Sequence, residues 1–196
     1  MRAIMVIIIF SLFYWIPSSE SIVFAQTRWQ PFKLHPKVSF LDLQYQIQTR
    51  EGQNVVYGIL VERIQKQKVK VRIQSEAEMN EDEIGAQTLL GFWGLYGISY
   101  MVFFNPAFAM FYSQMDLEVG EKMSFFGAGY AKVTGEKVVG GRKGKVVEFY
   151  QRNGGKERLA TRTVIDPLVF IPIENIIFDN QGKIETQISL VKATVK

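Results

Sequence analysis

The 196-residue chain has no cysteine and one histidine. The absence of cysteine excludes disulfides, thiolate metal sites, cysteine nucleophiles and cysteine-ligated iron–sulfur or c-type haem groups. His35 alone cannot build a histidine-rich metal centre, and in a proline-flanked lead-in it reads as an exposed loop histidine. Charge of one sign is also scarce. A net +4 is too small for a binder held to nucleic acid by counterion release. With 47% hydrophobic residues, the chain is too apolar to be disordered.

Known cofactor loops are missing as well. Gly135 and Gly140 have the separation of a phosphate-binding loop, but Gly141-Arg142 stand where Lys and Ser/Thr are needed. Gly127-Ala128-Gly129 is followed by Lys132 where a dinucleotide fingerprint has its third glycine. There is no Gly-x-Ser-x-Gly elbow. A pair of carboxylates dispersed in sequence is the one enzymatic chemistry left open. The expectation is a protein that is not an enzyme and uses no cofactor or metal.

What is present begins with an address. Arg2 precedes the apolar stretch Ala3 to Ile16, Pro17 ends it, and Ser18 to Ser21 is polar. Val23 and Ala25 suit the −3 and −1 positions of a signal-peptidase site, which predicts cleavage after Ala25. The expected organisation is a signal peptide over 1–25, an extended lead-in over 26–37, and one β-rich domain over 38–196. The expected location is outside the cytoplasm, in a bacterial periplasm or at the cell surface, since small eukaryotic ectodomains more often use disulfides.

Period-two alternation dominates the rest. Phe40 to Gln48, Val55 to Arg63 and Lys66 to Ser75 read as three strands of a meander, the third being the most regular. Lys122 to Lys132, Glu136 to Val139, Lys145 to Arg152 and Glu157 to Val164 follow as strands, with Asn153-Gly154-Gly155 as a tight turn. Val169 to Phe178 and Lys183 to Val191 complete the set. Pro172 marks the first of these two as an edge or bulged strand. The fold class is mainly β: a curved antiparallel sheet or partial barrel with a helical insertion at about 81–114. Asn80 and Asn105-Pro106 supply helix starts for pieces over 81–103 and 106–114.

Three features could carry function. The acidic cluster Glu76, Glu78, Glu81, Asp82, Glu83 lacks the spacing of a calcium loop and reads as a solvated strand end and helix start. The basic turn Arg142, Lys143, Lys145, with Lys132, Lys137 and Lys156 in neighbouring strands, could meet anionic lipid headgroups, or could serve only solubility and edge protection. The third feature lies in the charge-free run from Ile84 to Met115. Its candidate ligand-binding residues are Phe92, Trp93, Tyr96, Tyr100, Phe103, Phe104, Phe108 and Phe111. Three readings stand: a core helix plugging the mouth of a curved sheet, the same plug lining an apolar cavity, or a membrane span. Glycine spacing, polar interruptions and the absence of flanking Lys/Arg count against the span.

The order of short motifs carries a resemblance. It runs from Leu43-Gln44-Tyr45 through Tyr57-Gly58 and Asn105-Pro106-Ala107 to Leu117-Glu118-Val119-Gly120-Glu121-Lys122. A closing Asp166-Pro167…Pro172-Ile173 hairpin follows. Over about residues 38–192 this resembles exported bacterial β-rich proteins of unknown function. These in turn look distantly like the half-barrel lipoprotein carriers of the LolA/LolB kind, whose anchored members have a lipobox cysteine that this chain lacks. The resemblance implies a half-barrel and transfers no functional residue. The first expectation is an exported binder of an apolar or amphiphilic ligand, such as lipid, with peripheral membrane contact. The alternative is an envelope protein–protein interaction or assembly module that uses a sheet edge or an aromatic face. Nucleic acid is not among the expected partners.

Overall fold

The computed structural model describes residues 28–31, 33–50, 52, 54–77, 106–125 and 127–196. The acidic residues Glu78, Glu81, Asp82 and Glu83, the expected leader over 1–25, and the expected helix over 81–103 lie outside them. Among the described residues nine strands form one antiparallel sheet: β1 (Phe40–Thr49), β2 (Asn54–Gln65), β3 (Lys68–Ala77), β4 (Lys122–Phe125), β5 (Gly129–Val139), β6 (Arg142–Asn153), β7 (Lys156–Ile165), β8 (Glu174–Phe178) and β9 (Ile184–Val195). A helix, α1 (Pro106–Tyr112), precedes β4. The spatial order is β3-β2-β1-β9-β8-β7-β6-β5-β4. The sheet is curved and unclosed, with β3 and β4 at its two edges.

Alternation in the sequence becomes alternation in burial. Along β1, Leu41, Leu43, Tyr45 and Ile47 are buried, and the residues between Phe40 and Gln46 on the other face are half-buried. One lateral row shows how the strands share this face. Val55 pairs with Ile47, Ile47 with Ile188, Ile188 with Asn175, Asn175 with Thr163, Thr163 with Val147 and Val147 with Val133. Directly paired residues point to the same side of a sheet, so a single face runs the width of the molecule.

The covering of this face comes from three irregular pieces. The stretch after β7 contributes Val169, Ile171 and Ile173 to a cluster with β1, β2 and β9. The lead-in residue Trp29, together with Ala109 and Tyr112 of α1, Met115 and Leu117, joins Val133, Val147, Phe149 and Ile165 in a second cluster. Two hydrogen bonds hold the stretch after β7 from either side. The Trp29 indole N–H donates to the Val169 carbonyl at 2.7 Å, and the Tyr45 hydroxyl donates to the Pro172 carbonyl at 3.0 Å.

Several boundaries differ from the sequence expectation, each for a local reason. Lys122 to Lys132 is not one strand. The chain turns at Gly127 and Ala128 and re-enters as β5, and Gly129 (φ 151) lies so close to β6 that a Cβ would fall 2.0 Å from the Tyr150 carbonyl oxygen. Val169 to Phe178 is not a single strand either, because only Glu174–Phe178 pairs. Proline cannot donate to a ladder, so the residues around Pro172 leave the sheet and enter the core instead. β8 lies between β7 and β9, so Pro172 does not mark a sheet edge. β9 runs to Val195 because it pairs with β1 along its length. The β5–β6 turn curls onto β9. Gly140 (φ 55) would place a Cβ 2.7 Å from the Leu190 carbonyl oxygen, so only glycine permits that approach.

Candidate functional site

Of the aromatic residues singled out by sequence, Phe92, Trp93, Tyr96, Tyr100, Phe103 and Phe104 lie outside the described residues, and Phe108 is described only as backbone within α1. Phe111 is half-buried. Its ring meets Phe125 edge-on at 4.7 Å, and Phe125 meets Phe149 edge-on at 5.2 Å. That end of the aromatic run therefore packs onto the sheet, an arrangement favourable to aromatic quadrupoles. Among the described residues no helix is long and apolar enough to cross a membrane. Nor do three His, Asp or Glu side chains come together there in a way that could hold a metal ion.

The basic turn residues each meet an acid. Arg142 Nε donates to Asp166 at 2.7 Å, and the second oxygen of Asp166 accepts the Leu168 amide. Lys145 donates to one oxygen of Glu136 at 2.6 Å, and Lys143 pairs with the other. These two lysines, Lys143 first, hold the Glu136 carboxyl at about 2, well below the usual carboxylate range. In the turn itself, three cations face two anions.

The same pairing extends across β5 to β8. Lys137 donates to Glu174 at 2.6 Å, while Ser189 Oγ donates to the other oxygen of that buried carboxylate. Arg162 donates to Glu148 at 2.9 Å, and the Tyr150 hydroxyl donates to its second oxygen at 2.8 Å. That carboxylate and burial together raise the pKa of Tyr150. Arg152 pairs with Glu157 at 2.6 Å. Lys122 sits 3.7 Å over the Tyr130 ring, which stacks on Tyr150. Lys132 and Lys156 are exposed. His35 is half-buried in its turn, where its Nδ1 accepts the Lys37 amide; burial, then Lys37, lowers its pKa.

The opposite side of the sheet is built differently. Among the described residues β3 pairs only with β2, in regular register from Val55↔Ala77 to Glu62↔Lys70. The shared face continues onto it and becomes more exposed, with no cover from the other described residues. In one row Leu43 is 0% exposed, Ile59 8% and Ile73 43%. In the next, Leu41 is 0%, Val61 2% and Val71 53%. Val69 is 41% exposed at the end of the same strip. On the other face of β3, Lys68, Lys70 and Arg72 alternate with these residues and are exposed. The full burial of such an apolar side chain is worth ~1.5–3 kcal/mol, so Val71 and Ile73 each leave roughly 1 kcal/mol for whatever covers them.

The two edges of the sheet are unlike. β4 is four residues long and is followed at once by a turn, a form that discourages strand addition. β3 is ten residues long, regular, and lacks proline. The sequence pattern of β3 marks a strand but not a site. Its signal was the unusually clean alternation of Val69, Val71 and Ile73 with bases, which does not by itself tell an edge from an interior strand.

No family model matches the chain, and no curated protein does so. Solved structures of MucB are similar to it. The crystal structure of MucB matches with a TM-score of 0.41 at 13% identity, over 82% of this chain and 54% of that one. MucB in complex with MucA(peri) gives 0.40 at 12%, over 82% and 51%. The complex of Pseudomonas aeruginosa MucA and MucB gives 0.39 at 12%, over 82% and 52%. The chain thus spans about half the length of the solved chains it matches. These are structures of MucB, not of the lipoprotein carriers.

Proposed function

We propose that this chain is a non-enzymatic, exported protein-binding module that receives a segment of its partner along the open β3 edge. The observation that carries this reading is the apolar row Leu43–Ile59–Ile73, which passes from buried to exposed from β1 to β3 and stops at a strand with one neighbour among the described residues. An added strand would satisfy the outward backbone groups of β3 and cover Val69, Val71 and Ile73 in the same step. The blunted β4 edge supports β3 as the receiving side. An envelope location fits the leader read from Arg2 to Ala25.

Photo-crosslinking in the native cell tests it. A photoreactive side chain at Gln74 of β3 is expected to give discrete protein adducts, and one at Lys192 of β9, an interior strand, is expected to give none. Equal adducts from both positions, or none from Gln74, count against the reading. A second reading, shelter for a lipid or other amphiphile with peripheral membrane contact, is favoured by the same exposed strip and by the charge-free run of residues 84–115. Native mass spectrometry of protein purified without detergent separates the two: a co-purifying lipid favours the second, and a ligand-free chain that still gives Gln74 adducts favours the first.

A further inference from the structure

We infer that the segment taken up by β3 is extended and acidic–apolar by turns, so that the edge selects its partner by charge as well as by backbone pairing. This rests on the reading of β3 as the partner-binding edge. The outer face of β3 presents Lys68, Lys70 and Arg72 at successive alternate positions, with Lys66 in the preceding turn. None of these four forms an ion pair among the described residues, whereas Arg142, Lys143 and Lys145 around the β5–β6 turn all do so. The neighbouring bases and acids do little to offset them. Arg63 is committed to the Val38, His35 and Lys66 carbonyls. Glu62 lies across from Lys70 alone, Leu60 lies across from Arg72, and Glu76 lies at the far end of the strand.

Strand addition converts this one-dimensional pattern into a code. Residues of an added strand that face the side of Lys68, Lys70 and Arg72 meet three positive charges, which favours Glu or Asp at every second position. Residues between them meet Val69, Val71 and Ile73, which favours apolar side chains. The same charges oppose a second copy of β3, because pairing the strand with itself sets bases against bases. The occupant is therefore a different segment, one of negative charge.

The test uses the full chain and three labelled ten-residue peptides: alternating Glu and Val, alternating Lys and Val, and the Glu/Val peptide methylated at alternate backbone nitrogens. Fluorescence anisotropy is expected to show binding of the first only. That binding should weaken at least tenfold in K70E/R72E, and it should weaken in the unmodified chain between 50 and 500 mM salt. The salt series keeps the test decisive if K70E/R72E folds poorly. Equal binding of the Lys/Val peptide, or binding unmoved by both salt and K70E/R72E, overturns the charge selection. If Gln74 adducts persist in that case, the partner-binding edge itself stands. Undiminished binding of the methylated peptide overturns strand addition. A Gln74 adduct to the chain's own residues 78–105 overturns both the selection and the edge reading.

Discussion

The two halves of the sheet spend their charged and apolar residues in opposite ways. From β5 to β8, Glu136, Glu148, Asp166 and Glu174 each accept from a base, and the face beneath β5 to β7 is filled by Trp29, α1, Met115 and Leu117. From β2 to β3 the bases of the outer strand stand unpaired among the described residues, and the apolar row runs out into the open. A protein selected only for stability gains little from such an edge, which invites unwanted pairing. The difference teaches that residue type alone does not mark a binding surface. Valines and lysines occur in both halves, but among the described residues it is at the long edge strand β3 that a run of exposed apolar residues (Val69, Val71, Ile73) alternates with a run of bases that form no ion pair (Lys68, Lys70, Arg72).

Substitutions can break or sharpen this contrast. The largest effect is expected in the covered half, at Trp29→Ala. The indole is 1% exposed and donates to Val169, so its removal should cost about 3–5 kcal/mol, read by chemical denaturation. A loss near zero would mean that the lead-in does not hold the core. Leu43→Ala should follow, at about 2–5 kcal/mol, because the side chain is fully buried. Tyr45→Phe should cost about 1–3 kcal/mol by leaving the buried Pro172 carbonyl without its donor. An unchanged denaturation midpoint there would show that water or another group replaces the hydroxyl.

The ion pairs make a smaller, pH-specific prediction. Glu136 is held at about 2, below its ordinary value. A group whose pKa is lowered on folding contributes stability that is present above the ordinary value and is lost as pH falls through the folded one. Carboxyl NMR should therefore place the Glu136 midpoint near 2. K143A/K145A should return it toward the ordinary carboxylate range, and an unmoved midpoint would contradict the pairing. The smallest effect belongs to the open edge. Ile73→Ala, in the same lateral row as Leu43, should cost only about 1 kcal/mol of stability while weakening partner capture. A cost equal to that of Leu43→Ala would show Ile73 to be covered.

Much of the fold was legible in sequence because sheets write their buried face locally. The alternation of Leu41, Leu43, Tyr45 and Ile47 located β1, and Asn153-Gly154-Gly155 located the β6–β7 turn. Lateral order was not legible. Nothing near β1 signals that β9, more than a hundred residues on, lies beside it. Trp29 was missed as a core residue because a lone aromatic in a proline-bearing lead-in has no period to betray its direction. By sequence Pro172 marks an edge or bulged strand, whereas the chain accommodates it by leaving the sheet. The true edge, β3, gave no such warning. A strand half-buried by two neighbours and a strand exposed beside one can share the same alternating sequence.

Amide hydrogen exchange along β3 tests the central claim most directly. In the free chain, alternate amides between Val69 and Ser75, those not bonded to β2, should exchange far faster than the amides of β1, which has neighbours on both sides. Saturation with the Glu/Val peptide should slow those β3 amides at least tenfold and leave β5 to β7 unchanged. β3 amides already as protected as those of β1 in the free chain, or unchanged when the peptide is bound, would contradict the account.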